Sequence, residues 1–477
     1  MKCLNRLFVS GLVVLLLNGV GIIPAHSVVP DAGDNPHISL PNTWKAGVAK
    51  IDITPKEAMW MAGYGSRTSP SEGTLHPIWV KALALEDAQG NRGVLITSDL
   101  LGFPKMMSDK IRASAQTRFG LSKAQIILNS SHTHTGPVLG DALFDIYPVD
   151  EEGRRKIARY TEDLTNRIIA MIGEAIQNLE PARLFSENGV ARFQVNRRNN
   201  VEALQHRISD LNGPNDYAVP VIKVARANGD LMAIVFGYAC HPTVLSLNQW
   251  SGDYPGFAQI QLEQDHPGMQ AMFFQGGGGD QNPIPRRTIP LARQYGRTLA
   301  AAVDRVLEED MKPLASNLRF AYTEVDLNLE EAPSEEELAH FCESASGYQK
   351  RWGERLLKES RSGNQLPEAY PFPLQIWSLG DQPIFTLGGE LLVGYTIRLK
   401  EIFGYDAFVM GYTNDVMSYI PTSRVLHEGG YEGAYAQMVY GLPAKWSMDI
   451  ESTIVQGMVE LARTIDLYPP TNKLLGN

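Results

Sequence analysis

The way the apolar runs end constrains this chain most. "VLITSDL" (94–100), an amphipathic stretch over 105–120 closed by Gly120, and "IILNSSHTHTG" (126–136) read as strand, helix and strand. Both strands give way abruptly to polar residues. "PIFTLGGE" (383–390), the helical "LLVGYTIRLKEIFG" (391–404) and "AFVMGYTNDVMSYIPT" (407–422) repeat the same grammar. A crossover of this kind joins parallel strands with one hand, so the polar exits emerge together at the carboxyl end of a sheet, where open α/β sheets bind ligands. "YAVPVIKVAR", "LMAIVFGYACHP" and "QAMFFQGGGGD" read as further strands. Helices are predicted over 152–180, 290–309 and 333–360, the last with Ser334 and Glu337 as a capping box. The fold class expected is α/β, with mixed β-sheets flanked by helices.

Chemistry-bearing residues gather at these exits. His132 and His134 are two apart, so they face one spot if strand geometry runs that far. Imidazole suits zinc, and two rings on one side can share a metal; a hydrogen-bonded loop is the plainer alternative. His241 also follows a strand, which Pro242 stops, and taken alone it reads equally as structural. Glu390 follows Gly388 and Gly389 at a strand-to-helix turn, where a helix N-terminus favours a carboxylate in any case. Asp99 is its counterpart after the first strand and is a candidate for orienting a metal ligand. The glycine run in "FFQGGGGDQNP" (273–283) would let backbone approach a ligand, or is a flexible turn. It lacks the Lys-Ser/Thr ending of a phosphate-binding loop, which excludes nucleotide binding there.

Charge and address narrow the class. The formal net charge of −10 disfavours nucleic acid and anionic membranes as partners. Lys2 and Arg6, the apolar run Phe8–Ile23 and the small residues Ala25 and Ser27 read as a signal peptide over 1–27, hence an exported protein. Residues 28–45 read as a linker and 46–470 as one large domain. No other stretch is long and apolar enough to span a bilayer. Cys240 and Cys342, the cysteines beyond the leader, are too few for a disulfide scaffold, though they could pair.

Several motifs, in order, resemble those of the neutral/alkaline ceramidases. They are "AGVAKIDITP" with "MAGYG", "SSHTHTGP", "VNRR", "CHPTVL", "GGGGDQNP", "LGGE", and "TNDVMSYIPT" followed by "YEG" (431–433). The resemblance implies a neutral-ceramidase-like catalytic domain, a zinc-dependent amidase cutting the N-acyl bond of a ceramide-like or other N-acyl lipid by a metal-activated water. It implies one zinc per chain on His132, His241, Glu390 and Tyr419, with His134, Arg197 and Tyr431 on the substrate side. A tyrosine after a strand is otherwise read as packing, so Tyr419 enters through the resemblance alone. Zinc would acidify a water and polarise the scissile carbonyl. His134 would serve as general acid or oxyanion donor, and Arg197 and Tyr431 would donate to substrate oxygens.

The chain departs from that pattern where the family serine falls on Asn282, which cannot act as a covalent nucleophile. The family's C-terminal β-sandwich is not expected here, since the sequence stops near the end of the catalytic region. Two other readings stand beside this one. A binuclear amidohydrolase barrel would also open its site with His-x-His, but it needs two further histidines and an aspartate on successive strands, and His206 and His266 lie in loop-like polar surroundings. A non-catalytic relative would keep the pocket and bind without turnover.

Overall fold

The computed structural model of the chain describes residues 43–143, 145–207 and 210–470. The predicted signal peptide and most of the linker lie outside the described residues. No helix among those described is long and apolar enough to cross a membrane.

The strands Gln270–Gln275, Leu231–Tyr238, Ala218–Arg226, Glu180–Val190, Trp44–Asp52, Trp79–Glu86, Arg92–Ser98 and Ile126–Ser130 lie side by side in that order, and Lys312–Leu314 adds to Glu180–Val190. The middle of this sheet is antiparallel, while its two outermost pairs are parallel. Helices Lys105–Phe119 and Glu151–Gln177 cover one part of its outer face, burying Ile111, Ile168 and Ile172 against Val80, Ile96 and Leu128. Helices Asp253–Asp265 and Ile289–Leu307 cover another part. The inner face packs Leu83, Leu95, Ile127 and Met272 on a second sheet, ordered Leu318–Asn328, Ala369–Leu379, Gln382–Leu387 and Phe408–Met410. Helices Val393–Phe403 and Ile450–Arg463 close the far side of that sheet. The result is two sheets between helical layers, the mixed α/β class expected. Its order and antiparallel centre exclude the eight-stranded parallel barrel of a binuclear amidohydrolase.

The parallel pairs are the crossover units read from the sequence, and a third, Leu231–Tyr238 through Asp253–Asp265 to Gln270–Gln275, joins them. The large sheet curls until its two parallel edges meet. Asn129, fully buried, bridges them: its Oδ1 accepts from the Gln275 amide at 3.0 Å. Its Nδ2 donates to Gly411 O at 2.8 Å and Thr413 Oγ1 at 3.0 Å in the second sheet's exit loop. Asn414, at φ 68°, adds a reciprocal pair with Leu128. One short side chain thus gathers all three strand exits.

Two expectations need correction. The segment 333–360 is not one helix: Glu335–Ser344 ends at Ala345, and Gly347–Arg361 begins after extended Ser346. The Ser334–Glu337 capping box is present. Cys240 and Cys342 are free thiols and do not pair.

Asn129→Leu keeps the volume but strands the Gln275 amide, while the Gly411 carbonyl keeps the Thr413 hydroxyl at 2.7 Å. At about 1–3 kcal/mol for one orphaned buried group, we expect a loss of about 1–3 kcal/mol, read as a lower urea midpoint at unchanged slope. An unmoved midpoint would show that the exits are held by other contacts.

Candidate metal centre

The strand that carries the histidines stops at Ser130, earlier than alternation would need. Ser131 N donates to Ser98 O at 2.8 Å and His132 N to Leu100 O at 2.9 Å, so the loop is pinned to the neighbouring exit. His132 takes φ 64°. The two histidines therefore converge through a left-handed turn and not through strand periodicity. Their ring centroids lie 5.0 Å apart, and each is near His241, at 5.0 Å from His132 and 5.7 Å from His134.

Glu390 and Tyr419 are neighbours because the two-residue strands Glu390–Leu391 and Tyr419–Ile420 pair in parallel. Glu390 Oε2 lies 3.1 Å from His132 Nε2 and 2.9 Å from His241 Nε2. Tyr419 OH is 3.3 Å from His241 Nε2. The sequence reasoning missed Tyr440, whose OH donates to Glu390 Oε1 at 2.5 Å and leaves Oε2 to the imidazoles. No local pattern marks Tyr440; the short helix Ala436–Val439, which it follows, brings it in.

The donor set fits a cation. His132 Nδ1 is 2.7 Å from Leu101 O, and His241 Nδ1 is 2.7 Å from Gly278 O. A carbonyl only accepts, so both Nδ1 atoms carry a proton and each ring turns its Nε2 toward the Glu390 carboxylate. A lone pair facing a carboxylate at such a distance needs a positive centre between them. At His241 a proton does not supply it readily at neutral pH, because burial, outweighing the pull of Glu390, lowers the pKa to about 4. A divalent metal ion does. Burial would raise the Glu390 pKa, but the adjacent His132 and His241 hold it well below the ordinary value, so it stays a carboxylate.

His134 differs from the other two. Neither of its ring nitrogens has a hydrogen-bond partner, and Tyr64 packs edge-on against it at 4.7 Å. Gly63, at φ 101°, has no alternative here: a Cβ would stand 2.4 Å from His134 Cγ. Burial, aided by His132 and His241, pushes the His134 pKa well below its ordinary value, so the ring is neutral. His132, His134 and His241 together form a buried group able to hold a metal.

Arg197 leaves the strand Gln194–Asn196, which pairs with Gln281–Pro283 and so sets Asn282 beside it. Its Nη2 donates to Tyr419 OH at 3.1 Å, its Nε to Glu432 Oε1 at 2.7 Å, and its Nη1 reaches Asn282 Oδ1 at 3.5 Å. Glu432 Oε2 also accepts from Arg198 Nη1 at 2.7 Å. The Tyr431 ring lies 5.3 Å from that of Tyr419. The site residues nominated from the sequence therefore converge. Asp99 does not join them: its carboxylate takes the Trp79 amide at 2.9 Å and Gln259, and Leu101 O orients His132 instead. The glycine run is also reassigned. A Cβ at Gly277 would meet Thr396 Oγ1 at 2.3 Å, and one at Gly279 would meet Glu390 O at 2.8 Å. These glycines let protein backbone pack against the Glu390 strand, and Gly278 O is spent on His241.

Glu432 holds two guanidinium groups, and its own carboxyl shows the effect. Burial would raise its pKa, but Arg197 and Arg198 bring it below the ordinary value. Glu432→Gln should therefore cost about 3 kcal/mol, as for a buried pair that loses one partner. A depressed carboxyl contributes stability above its unfolded pKa of about 4.3 and loses it as pH falls through the folded value. The gap between wild type and variant, measured by urea unfolding, should be full at pH 7 and shrink below pH of about 4. A gap independent of pH would remove the charge from the explanation.

The model of the neutral/alkaline non-lysosomal ceramidases, N-terminal part, matches residues 44–348. The neutral ceramidases of Drosophila pseudoobscura pseudoobscura and Drosophila melanogaster are each 24% identical over 241 residues, 47% of this chain and 32% of theirs. The match thus spans about a third of the length of those relatives. The crystal structure of neutral ceramidase from Pseudomonas aeruginosa superposes with a TM-score of 0.69 at 21% identity, over 90% of this chain and 75% of that one. A ceramidase complexed with C2 gives 0.68 at 19% identity, over 90% and 76%. Those two share the fold, and the family model covers most of the first sheet with its histidine exits; the chain belongs to the neutral/alkaline non-lysosomal ceramidase family.

Proposed function

We propose that the protein is a zinc-dependent amidase acting on an N-acyl amide, with the metal on His132, His241, Glu390 and Tyr419. One observation carries this reading: two imidazoles, each locked by an Nδ1–H to a backbone carbonyl, turn their Nε2 atoms onto one carboxylate oxygen. His134 lacks such a lock, which supports its assignment to the substrate and not to the metal. Among divalent ions, a set of two imidazoles, a carboxylate and a phenol oxygen suits zinc. When bound, zinc supplies Lewis-acid chemistry, polarising the amide carbonyl and acidifying a water.

The chain's own residues supply the rest. His134, neutral and desolvated, takes the proton of the attacking water and returns it to the departing nitrogen. Burial and the nearby Glu390 raise the Tyr419 pKa well above its ordinary value, so the phenol keeps its proton at neutral pH. Arg197, fixed by Glu432, orients Tyr419 and offers charge to the carbonyl oxygen as negative charge develops. Asn282 makes no covalent bond; it lines the substrate side beside Arg197. The relatives named neutral ceramidase point to ceramide as one substrate to test. A non-catalytic binder with the same pocket is the alternative, and turnover on a panel of N-acyl amides, ceramide included, separates the two.

Elemental analysis should find one zinc per chain in freshly purified protein, lost in His132→Ala and in His241→Ala. Protein without metal, or with two ions per chain, would overturn the site. Tyr419→Phe keeps the ring and removes the hydroxyl, so turnover should fall by about 10²-fold or more while the fold survives, as for loss of one transition-state donor. Equal kcat in the variant would return Tyr419 to packing.

A further inference from the structure

Arg197, Asn282 and Tyr431 open onto a cavity of about 560 Å³, whose outer walls include Arg198, Glu202, Ile284 and Arg286. Val201, Ile284 and Tyr431 give this vestibule apolar surface, and the guanidinium groups of Arg197, Arg198 and Arg286 stand among it. Glu432 occupies Arg198 and the Nε of Arg197. Across the cavity, Arg286 holds both oxygens of Glu202, Nε at 3.1 Å from Oε1 and 3.0 Å from Oε2 and Nη2 at 2.7 Å from Oε2, on a carboxylate whose side chain is 41% exposed. Solvent around that carboxylate screens the pair.

The facing Nη1 atoms are looser still. Arg197 Nη1 stands 3.5 Å from Asn282 Oδ1, that oxygen 3.5 Å from Thr243 Oγ1, and Thr243 Oγ1 3.4 Å from Arg286 Nη1. Each contact is at the outer limit of a hydrogen bond. A guanidinium donor therefore ends the chain on both sides, with only neutral oxygens between. Arg287 adds a third positive charge nearby, its Nη1 3.0 Å from the OH of the Tyr64 that packs on His134.

We propose that this vestibule receives a carboxylate carried by the amine half of the substrate, so that the amide cleaved is that of an N-acyl amino acid, with Arg286 as the residue that selects it. The inference rests on the amidase reading and names its substrate class. A carboxylate between Arg197 Nη1 and Arg286 Nη1 replaces three long neutral contacts with short charge-assisted ones, and its planar fork matches a guanidinium. Glu202 holds Arg286 extended when no substrate is present and competes with the substrate when it is. Hydrolysis is balanced with water alone: the C–N bond breaks, oxygen adds to the acyl carbon, and a proton goes to the nitrogen, giving a fatty acid and a free amino acid.

The test compares N-hexanoylglycine with N-hexanoylglycinamide, which differ by one charge, on the zinc-loaded wild type, Arg286→Gln and Glu202→Gln. Wild-type kcat/KM should favour N-hexanoylglycine by about tenfold, the effect of one charge-assisted pair. Arg286→Gln should bring the ratio near one, mainly through KM, and Glu202→Gln should raise it by freeing Arg286. Calorimetric binding of the same two compounds should give the same order whether or not either is turned over. Equal hydrolysis of both amides in the wild type overturns the carboxylate inference and leaves the amidase reading standing. Charge-selective binding without hydrolysis upholds the carboxylate site at Arg286 but overturns the amidase reading and with it the cleavage, and equal binding without hydrolysis overturns both. A preference for N-hexanoylglycine that survives Arg286→Gln overturns the assignment to Arg286.

Discussion

Asn129 is the contact on which the site depends. A buried side-chain amide is costly unless its donors and acceptor are met, and here backbone and side-chain groups from two other strand exits meet them. The curl of the large sheet brings its parallel edges together, and the second sheet's exit loop closes over them. His132 and His134 leave Asn129's own strand and Tyr419 follows Phe408–Met410, while His241 and Glu390 leave Leu231–Tyr238 and Gln382–Leu387, the parallel neighbours of Gln270–Gln275 and Phe408–Met410. Each exit alone presents one or two polar groups at a strand end; only their meeting makes a centre able to hold a cation.

The electrostatics of that centre follow from burial more than from any single pair. Desolvation lowers the pKa values of His134 and His241, while the neighbouring imidazoles keep Glu390 ionised against the same desolvation. Two neutral rings and one carboxylate leave a bound divalent ion with residual positive charge, the condition for Lewis-acid chemistry. Around them, Tyr440 fixes one oxygen of Glu390, and Glu432 fixes Arg197 against Tyr419. These buried bonds hold the reacting groups on strands and short loops whose rotamers have little freedom.

Charge changes character from the centre outward. At the metal position it is internally matched, and at Glu432 one carboxylate serves two arginines. Further out, Arg286 pairs with the solvent-exposed Glu202 and reaches the Thr243 hydroxyl, and Arg287 meets the Tyr64 hydroxyl. An acidic protein that places weakly held arginines at the mouth of its cavity attracts anionic groups to that mouth despite its overall charge.

Much of the fold was legible in the sequence. Apolar periodicity placed the crossover units and the long helices, and Gly120 ended its helix in the left-handed conformation such stops require. His132, His241 and Glu390 were legible because polar exits of parallel strands must share one end of a sheet, whatever the rest of the chain does. The strands Trp44–Asp52, Glu180–Val190 and Leu318–Asn328 escaped notice, since partly exposed antiparallel strands carry mixed apolar and polar residues. Asp99 misled because an acid after a strand looks the same whether it faces a metal or caps a backbone amide. Residue type and local period are properties of a segment, so the sequence by itself determined which segments are strands, which are helices and which exits carry metal-capable groups. The left-handed turn at His132, the arrival of Tyr440 at Glu390, the clasp of Glu432 on Arg197 and the facing of Arg197 and Arg286 were decided only by tertiary structure, because each depends on where segments distant in sequence come to rest.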